Sequence, residues 1–449
     1  MANVIKLRKG LDIKLRGKAK AERLKITASG DIALCPSSFV GIVPKLVVKE
    51  GDHVKAGEPL FVSKQSPRVG FASPVSGTVA SVVRGERRKV LCVKLRSDAH
   101  QEYADFGKKD VSRMTGTDVK EALLSGGLFG YINQLPYAVS ADPADDPRAI
   151  FISALRDKPL SCDFEEELRG EEGHFQTGLT ALSKIAKVYL GIGARQTSAA
   201  LTSARDVEVT VFDGPCPAGN VGVQINNIAP VNKGEVVWTV DPSAVIFFGR
   251  LLDTGHVDLR RLIAVCGSEV KRPAYAEVVV GTKIGDILSG NVNEGSVRII
   301  DGNVLTGTRS SVDGYLGAHS SEVTVIPEGD TSDEMLGWIM PRLNEYSTSR
   351  SYFGWLMGRR REYAPDARIK GGERHIIMSG EYDRVLPMDI YGEYLIKAIV
   401  SGNIDRMEEL GIYEVSPEDF ALAEFVDSSK LELQKIVRDG LDMLRKENA

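Results

Sequence analysis

The chain has few of the residues that mark chemistry at a glance. Its five cysteines, Cys35, Cys92, Cys162, Cys216 and Cys266, stand far apart, and no two form a CxxC. That spacing excludes a locally encoded iron–sulfur site, and it suits a reducing compartment better than a disulfide framework. The six histidines (His53, His100, His174, His256, His319 and His375) are equally dispersed, so no local metal-ligand motif is present. No apolar run approaches the ~20 residues that span a bilayer. The best candidate, residues 245–252, is short and broken by Gly249-Arg250. The opening MANVIKLRKGLDIKLRGK is charged throughout and has no secretory core. An excess of one charge is lacking too. The formal net charge is −4 over 449 residues, so no global basic field draws the chain to nucleic acid.

What is present begins at residues 45–83, KLVVKEGDHVKAGEPLFVSKQSPRVGFASPVSGTVASVV. Val54, Leu60, Val62, Val69, Phe71, Val75 and Val79 recur in short alternating runs, the pattern of half-buried strands. Turn chemistry separates the runs, and Gly51, Gly57 and Gly77 are placed to supply positive φ angles. The order GDxVxxGxxL then SPVSGTV resembles the biotinyl/lipoyl carrier fold. That family modifies a Lys eight positions before the second-motif Pro. Counting back from Pro74 gives Ser66, with Lys64 two residues out of place, so the barrel is expected without a swinging arm. The segment from Arg84 to Lys89 reads as a basic hairpin tip, a solvated loop that could also meet an anionic lipid surface or acidic partner.

Residues 1–35 read as a lead-in of short strands, with Ile5, Leu7, Leu11, Ile13 and Leu15 alternating with charged residues. Beyond the barrel, residues 117–125 predict a short helix with Thr117 as N-cap. Residues 149–152 predict a buried strand and 175–185 a helix. Residues 185–190, then Gly191-Ile-Gly193, a helical stretch to Ala204 and a strand over 207–212 ending at Asp213 follow a β-turn-α-β order. The unit from Gly191 to Asp213 partly matches a dinucleotide fingerprint, with the glycines near a pyrophosphate and Asp213 on a ribose hydroxyl. Gln196 stands where the third glycine belongs. Helices are expected over 220–228 and 241–252, the latter opened by Asp241-Pro242. β-type runs with one short helix at 284–288 then suggest a β-grasp-like unit. Residues 331–372 are rich in Trp, Tyr, Met and Arg, and would form an interdomain packing, a ligand pocket or an interaction hook. The last sixty residues read as helical, with Ser416-Pro417 opening one helix and Leu433, Ile436, Val437, Leu441 and Leu444 lining the last.

The expected fold is a mixed α/β and α+β multidomain chain. It comprises lead-in strands with a biotinyl/lipoyl-like barrel-sandwich over 1–100 and a Rossmann-like α/β domain over 101–260. A β-grasp domain of the SLBB kind follows over 261–330, then a linker and helical domain over 331–449. The opening IKLRKGLDIKLRG, the barrel motif, PAGNVGVQI, RLIAVCGSEVKRP and the tail SGEYDRVLPMDI…LGIYEVSPEDFALAEFV occur in that order. In this order they resemble the NqrA family of the sodium-translocating NADH:quinone reductase over nearly the whole chain. The resemblance implies a peripheral subunit on the cytoplasmic face of the bacterial inner membrane, partnered by the other subunits and especially the membrane ones. The complex uses NADH, flavins, iron–sulfur centres and quinone, while NqrA holds no permanent cofactor; a quinone is a candidate partner. The family is similar to the flavin-binding subunit of complex I and the C subunit of the related ferredoxin-linked Rnf complex. Here Gly126-Gly-Leu-Phe-Gly130 lacks the GRGGAGFPT flavin loop, and Ala421-Leu-Ala-Glu-Phe-Val426 carries no Cys. No residue is therefore assigned to catalysis, cofactor or metal. The rival expectations are a stand-alone NADH- or flavin-dependent oxidoreductase using the unit from Gly191 to Asp213, and a biotin or lipoyl carrier.

Overall fold

Turn residues cut residues 31–97 into strands too short to bury an apolar face alone, so they stack into two small facing sheets. In a computed structural model that describes residues 3–330, 339–348, 350–358 and 361–448, one sheet orders the strands Asp31–Leu34, Val90–Ser97, Gly77–Arg84 and His53–Val54. The other orders Pro44–Leu46, Pro59–Ser63 and Gly70–Ala72. Val54, Leu60, Val69, Phe71, Val75 and Val79 fill the space between them, while Val62 is only half-buried. Gly51 and Gly57 take positive φ as expected. Gly77 does not; it is needed because a Cβ there would lie 2.2 Å from the Arg96 carbonyl oxygen across the ladder.

A seven-stranded sheet forms the middle of the molecule, in the order Asn3–Lys6, Glu208–Asp213, Lys187–Gly193, Ala149–Ser153, Val237–Val240, Ile132–Leu135 and Val139–Ser140. The first five run parallel. Helices Gly116–Ser125, Glu172–Ile185 and Pro242–Thr254 pack together with the apolar core on one face. The last starts as the sequence predicts: the Asp241 side chain accepts from Ser243 N, and Pro242 occupies the first turn. The cap of the first is Thr115, not Thr117. A capping box needs an acid three residues after the cap, and position 118 is Asp whereas position 120 is Lys.

A second, six-stranded sheet runs Thr308–Ser310, Val297–Asp301, Glu322–Pro327, Arg260–Cys266, Ala274–Val279 and Lys20–Leu24, with helix Ile284–Leu288 beside it. Of the lead-in, grouped with the barrel by sequence order, only Asp31–Leu34 joins the barrel; the earlier strands pair with two other sheets. Asn3–Lys6 extends the central sheet, and Lys20–Leu24 lies parallel to Ala274–Val279. Between them Ile13 and Leu15 enter the C-terminal core. Apolar alternation marks an extended segment with one buried side and is silent on which sheet receives it.

Helices Gly392–Val400, Ile404–Glu409, Ala421–Val426 and Leu433–Glu447 build the C-terminal unit. Their core includes Leu395, Ile396, Met407, Phe420, Val437 and Leu441. Ser416 and Asp419 form a capping box ahead of Pro417–Phe420. Of the aromatic and Arg-rich stretch, residues 331–338, Ser349, Arg359 and Arg360 lie outside the described residues.

Candidate functional site

The unit from Gly191 to Asp213 is where nucleotide chemistry was expected, and the structure brings its glycines and acid to the ends of adjacent parallel strands. Its own side chains then close it. Gln196 accepts from Gly193 N at 2.7 Å and donates to the Ala154 carbonyl at 2.9 Å. The Glu165 carboxylate accepts from Thr197 N and Ser198 N at 2.8 and 2.6 Å, the positions from which backbone donors would meet a phosphate. The helix expected to reach Ala204 is only Ala199–Thr202, too short for a useful dipole. Gly191 is small for another reason, since a Cβ there would lie 1.9 Å from Gln224 Oε1. Asp213 ends a strand paired to Lys6, and its carbonyl accepts from Leu7 N.

The concavity lies elsewhere. In the central sheet the chain runs outward from Ala149–Ser153 through Lys187–Gly193 to Glu208–Asp213, then returns to place Val237–Val240 on the other side of Ala149–Ser153. At such a reversal the loops leave in opposite directions and a crevice opens beyond the strands' carboxyl ends. A cleft of about 930 Å³ occupies that place. Leu155, Arg156 and Asp241 come from the two strand ends, Cys35, Leu91 and Cys92 from the barrel, and Asp301, Tyr315 and His319 from the six-stranded sheet and its loops. The volume suits a small organic ligand.

Behind Arg156 and Asp241, which line the cleft, lies a buried ionic cluster. Glu167 Oε2 accepts from Arg156 Nη1 at 2.7 Å and from Ser243 Oγ at 2.8 Å. Arg261, 1% exposed at its side chain, donates to Ser243 Oγ at 2.8 Å and sits 3.8 Å from Glu167 Oε1. Burial opposes ionisation of Asp241, but Arg156 and Arg261 outweigh it and hold the carboxyl below its usual range. His319 packs against Phe39 and Tyr131, with ring centroids at 5.5 and 5.4 Å. Burial pushes its imidazole down to about 4, with Asp241 pulling the other way. Asp301 accepts from Gly317 N at 2.9 Å through Oδ2 and leaves Oδ1 without a partner; burial raises it to about 6. Cys35 and Cys92 meet across neighbouring strands, beside the Leu34–Val93 pair. The Cys35 thiol hydrogen-bonded to Cys92 lowers Cys92 to about 7, aided by Lys94 against burial, and keeps Cys35 protonated.

Ser66 N donates to Ser63 Oγ at 3.3 Å, and Lys64 N to the Val43 carbonyl at 2.8 Å, so the turn is tied to the barrel's own loops. The basic tip around Glu86–Arg88 is exposed. Among the described residues no group of three or more His, Cys, Asp or Glu could hold a metal ion, and no helix is long and apolar enough to cross a membrane.

Three family models match in succession: the NqrA N-terminal barrel-sandwich hybrid domain over 5–98, the NqrA second alpha/beta domain over 114–257, and the NQRA C-terminal domain over 262–312. The Na(+)-translocating NADH-quinone reductase A chain (NqrA) of Yersinia pestis bv. Antiqua (strain Angola) is 34% identical over 99% of this chain and 100% of its own length. The NqrA proteins of Pasteurella multocida (strain Pm70) and Neisseria meningitidis serogroup A are 33% and 32% identical, with the same coverage. The chain belongs to the NqrA family of the Na(+)-translocating NADH-quinone reductase. A solved NAD+-reducing NiFe hydrogenase chain aligns over 41% of each chain at 14% identity, with a TM-score of 0.30, too slight a likeness to bear on the fold.

Placed on the NqrA domains, the cleft lies where all three matched units meet, and none of them lines it alone. Sequence reasoning singled out Asp241 only as a helix cap and missed Arg156, Asp301 and His319 as site residues. The available signal was the reversal of strand order, which emerges only once the sheet is assembled.

Proposed function

We propose that this chain serves as the peripheral NqrA subunit of a Na(+)-translocating NADH:quinone reductase, docked on the cytoplasmic face of the bacterial inner membrane. It supports assembly and the region of quinone reduction, while electrons pass through flavins and iron–sulfur centres on partner subunits. The observation that carries this is likeness to NqrA along essentially the whole chain, 34% identical over 99% of it. The reading that the chain itself holds no flavin or nicotinamide is supported by the filled turn at Gly191, where Gln196 and Glu165 occupy the donors a phosphate would use. The central unit is then a Rossmann-like domain without its nucleotide, between the barrel and the β-grasp unit, with the helical domain packed behind. The cleft at the strand reversal is the surface we assign to quinone contact: apolar Leu91, Leu155 and Val240 line it beside the polar Arg156 and His319.

Deletion of the chain is expected to abolish NADH:quinone turnover and sodium export by membranes, with both restored by re-expression. Normal turnover and pumping without it would sink the reading. The purified chain is expected to be colourless and to have its unmodified mass. A flavin or iron–sulfur band surviving gel filtration would show that it handles electrons itself.

A further inference from the structure

Residues 339–362 depart from the rest of the chain in charge. Their described residues hold Arg342, Arg350 and Arg361 against Glu345 and Glu362, a net of +1, which leaves −5 for everything else in a chain of net −4. Most of their described apolar residues face outward, while Tyr346 packs against the C-terminal core. Ile339, Met340 and Leu343 on one limb, and Phe353, Trp355, Leu356 and Met357 on the other, are 41% to 65% exposed. The limbs are joined where Phe353 N donates to the Pro341 carbonyl at 3.0 Å. Gly354 is buried at the junction, where a Cβ would lie 2.5 Å from the Glu345 carbonyl oxygen, so the turn Phe353–Met357 lies close on its partner limb. Arg342 stacks over the Tyr352 ring at 5.4 Å and Arg350 over Trp355 at 5.5 Å. Glu345 is engaged by Lys370 at 2.6 Å.

An outward apolar surface of Trp, Phe, Leu and Met bordered by arginines is the composition of a segment that lies in a membrane interface. The rings and aliphatic chains enter the headgroup boundary, and the guanidiniums meet phosphates. Each cation near an anionic leaflet adds attraction that fades within a Debye length. The remaining −5 is repelled by the same leaflet, so charge adds to the apolar surface in favouring this face toward the lipid. We propose that the hairpin formed by residues 339–348 and 350–358 rests on an anionic phospholipid surface. The proposal takes its setting from the peripheral-subunit reading, but its flotation measurements use no other subunit.

The test is flotation of the full purified chain with phosphatidylcholine vesicles, with or without phosphatidylglycerol. The expected result is co-flotation with the anionic vesicles only, reduced at least tenfold in about 0.5 M salt, where the Debye length shrinks to a few ångströms. Trp355→Ala with Leu356→Ala is expected to reduce binding at least tenfold. Arg350→Gln should weaken it several-fold, and Arg87→Gln with Arg88→Gln at the other basic tip should leave it unchanged. A blue shift of tryptophan emission on adding anionic vesicles is expected in the native chain and reduced in Trp355→Phe. No flotation with anionic vesicles, or flotation unaffected by the Trp355 and Leu356 changes, overturns the proposal. So does a double variant that floats normally yet no longer co-purifies with the membrane subunits, since the patch would then be a protein contact. None of these outcomes touches the deletion test of the NqrA reading.

Discussion

Glu167 is the residue on which the buried ionic cluster behind the cleft depends. Two guanidiniums and one hydroxyl converge on its carboxylate, which is 3% exposed. Removing one member of a buried ionic cluster leaves the others charged and unpaired, usually at a cost of about 3–5 kcal/mol. Glu167→Ala is therefore expected to lower unfolding stability by about that amount, read from the urea midpoint at unchanged m-value. Asp301 and His319 act on stability in opposite directions as pH changes. The folded state holds the Asp301 proton up to about 6, above the ordinary carboxylate value, so between pH 4 and 6 its contribution falls as pH rises. His319 is lowered to about 4, so the unfolded chain takes up its proton first, and this contribution rises over the same range. Asp301→Asn removes the first and leaves the second. The stability of the variant relative to the native chain should grow from pH 4 to pH 7 by up to about 3 kcal/mol, the equivalent of roughly two pKa units. Denaturant titrations at several pH values would show a flat difference if Asp301 were solvated.

Among the elements, those set by local chemistry could be read from sequence. The barrel strands follow from turn residues a few positions apart, and the start of helix Pro242–Thr254 follows from Asp241-Pro242, while its left-handed Gly255 cap lies beyond the expected end at 252. Where two local rules competed the reading slipped by two residues, as at Thr115. Thr115→Ala should cost about 1 kcal/mol, and Thr117→Ala much less, because only the first hydroxyl accepts from the Asp118 amide. Partner choice was not readable. Nothing in Asn3–Lys6 says that it will lie beside a strand some two hundred residues away. Deleting residues 1–8 is expected to bare the edge at Glu208–Asp213, lowering stability and promoting self-association by edge pairing. Light scattering on the truncated chain would reveal it, and a monomer of native stability would show that the edge is otherwise protected.

At the scale of the whole molecule, the partial glycine fingerprint supported a nucleotide site only as a rival reading, because a motif names backbone positions and is silent on what fills the space before them. Glu165, from a different helix, does so here. Asp213→Ala is accordingly expected to leave NADH:quinone turnover of the assembled complex within twofold of native; a KM for NADH raised tenfold or more would restore the nucleotide reading. The cleft escaped sequence reading for the complementary reason. Its walls come from residues as far apart as Cys35, Arg156 and His319, which no spacing rule links. The same long-range stitching sets an order of events during biosynthesis. Asn3–Lys6 leaves the ribosome well before its partner strand, since Thr210 is 207 positions behind Asn3, and the Tyr275 partner of Arg23 is later still. At roughly 5–20 residues per second the lead-in waits about 10–40 seconds without its sheet while the barrel between can already form. During that interval the nascent chain carries two unpaired strand segments ahead of the barrel, and chaperone capture would be concentrated there.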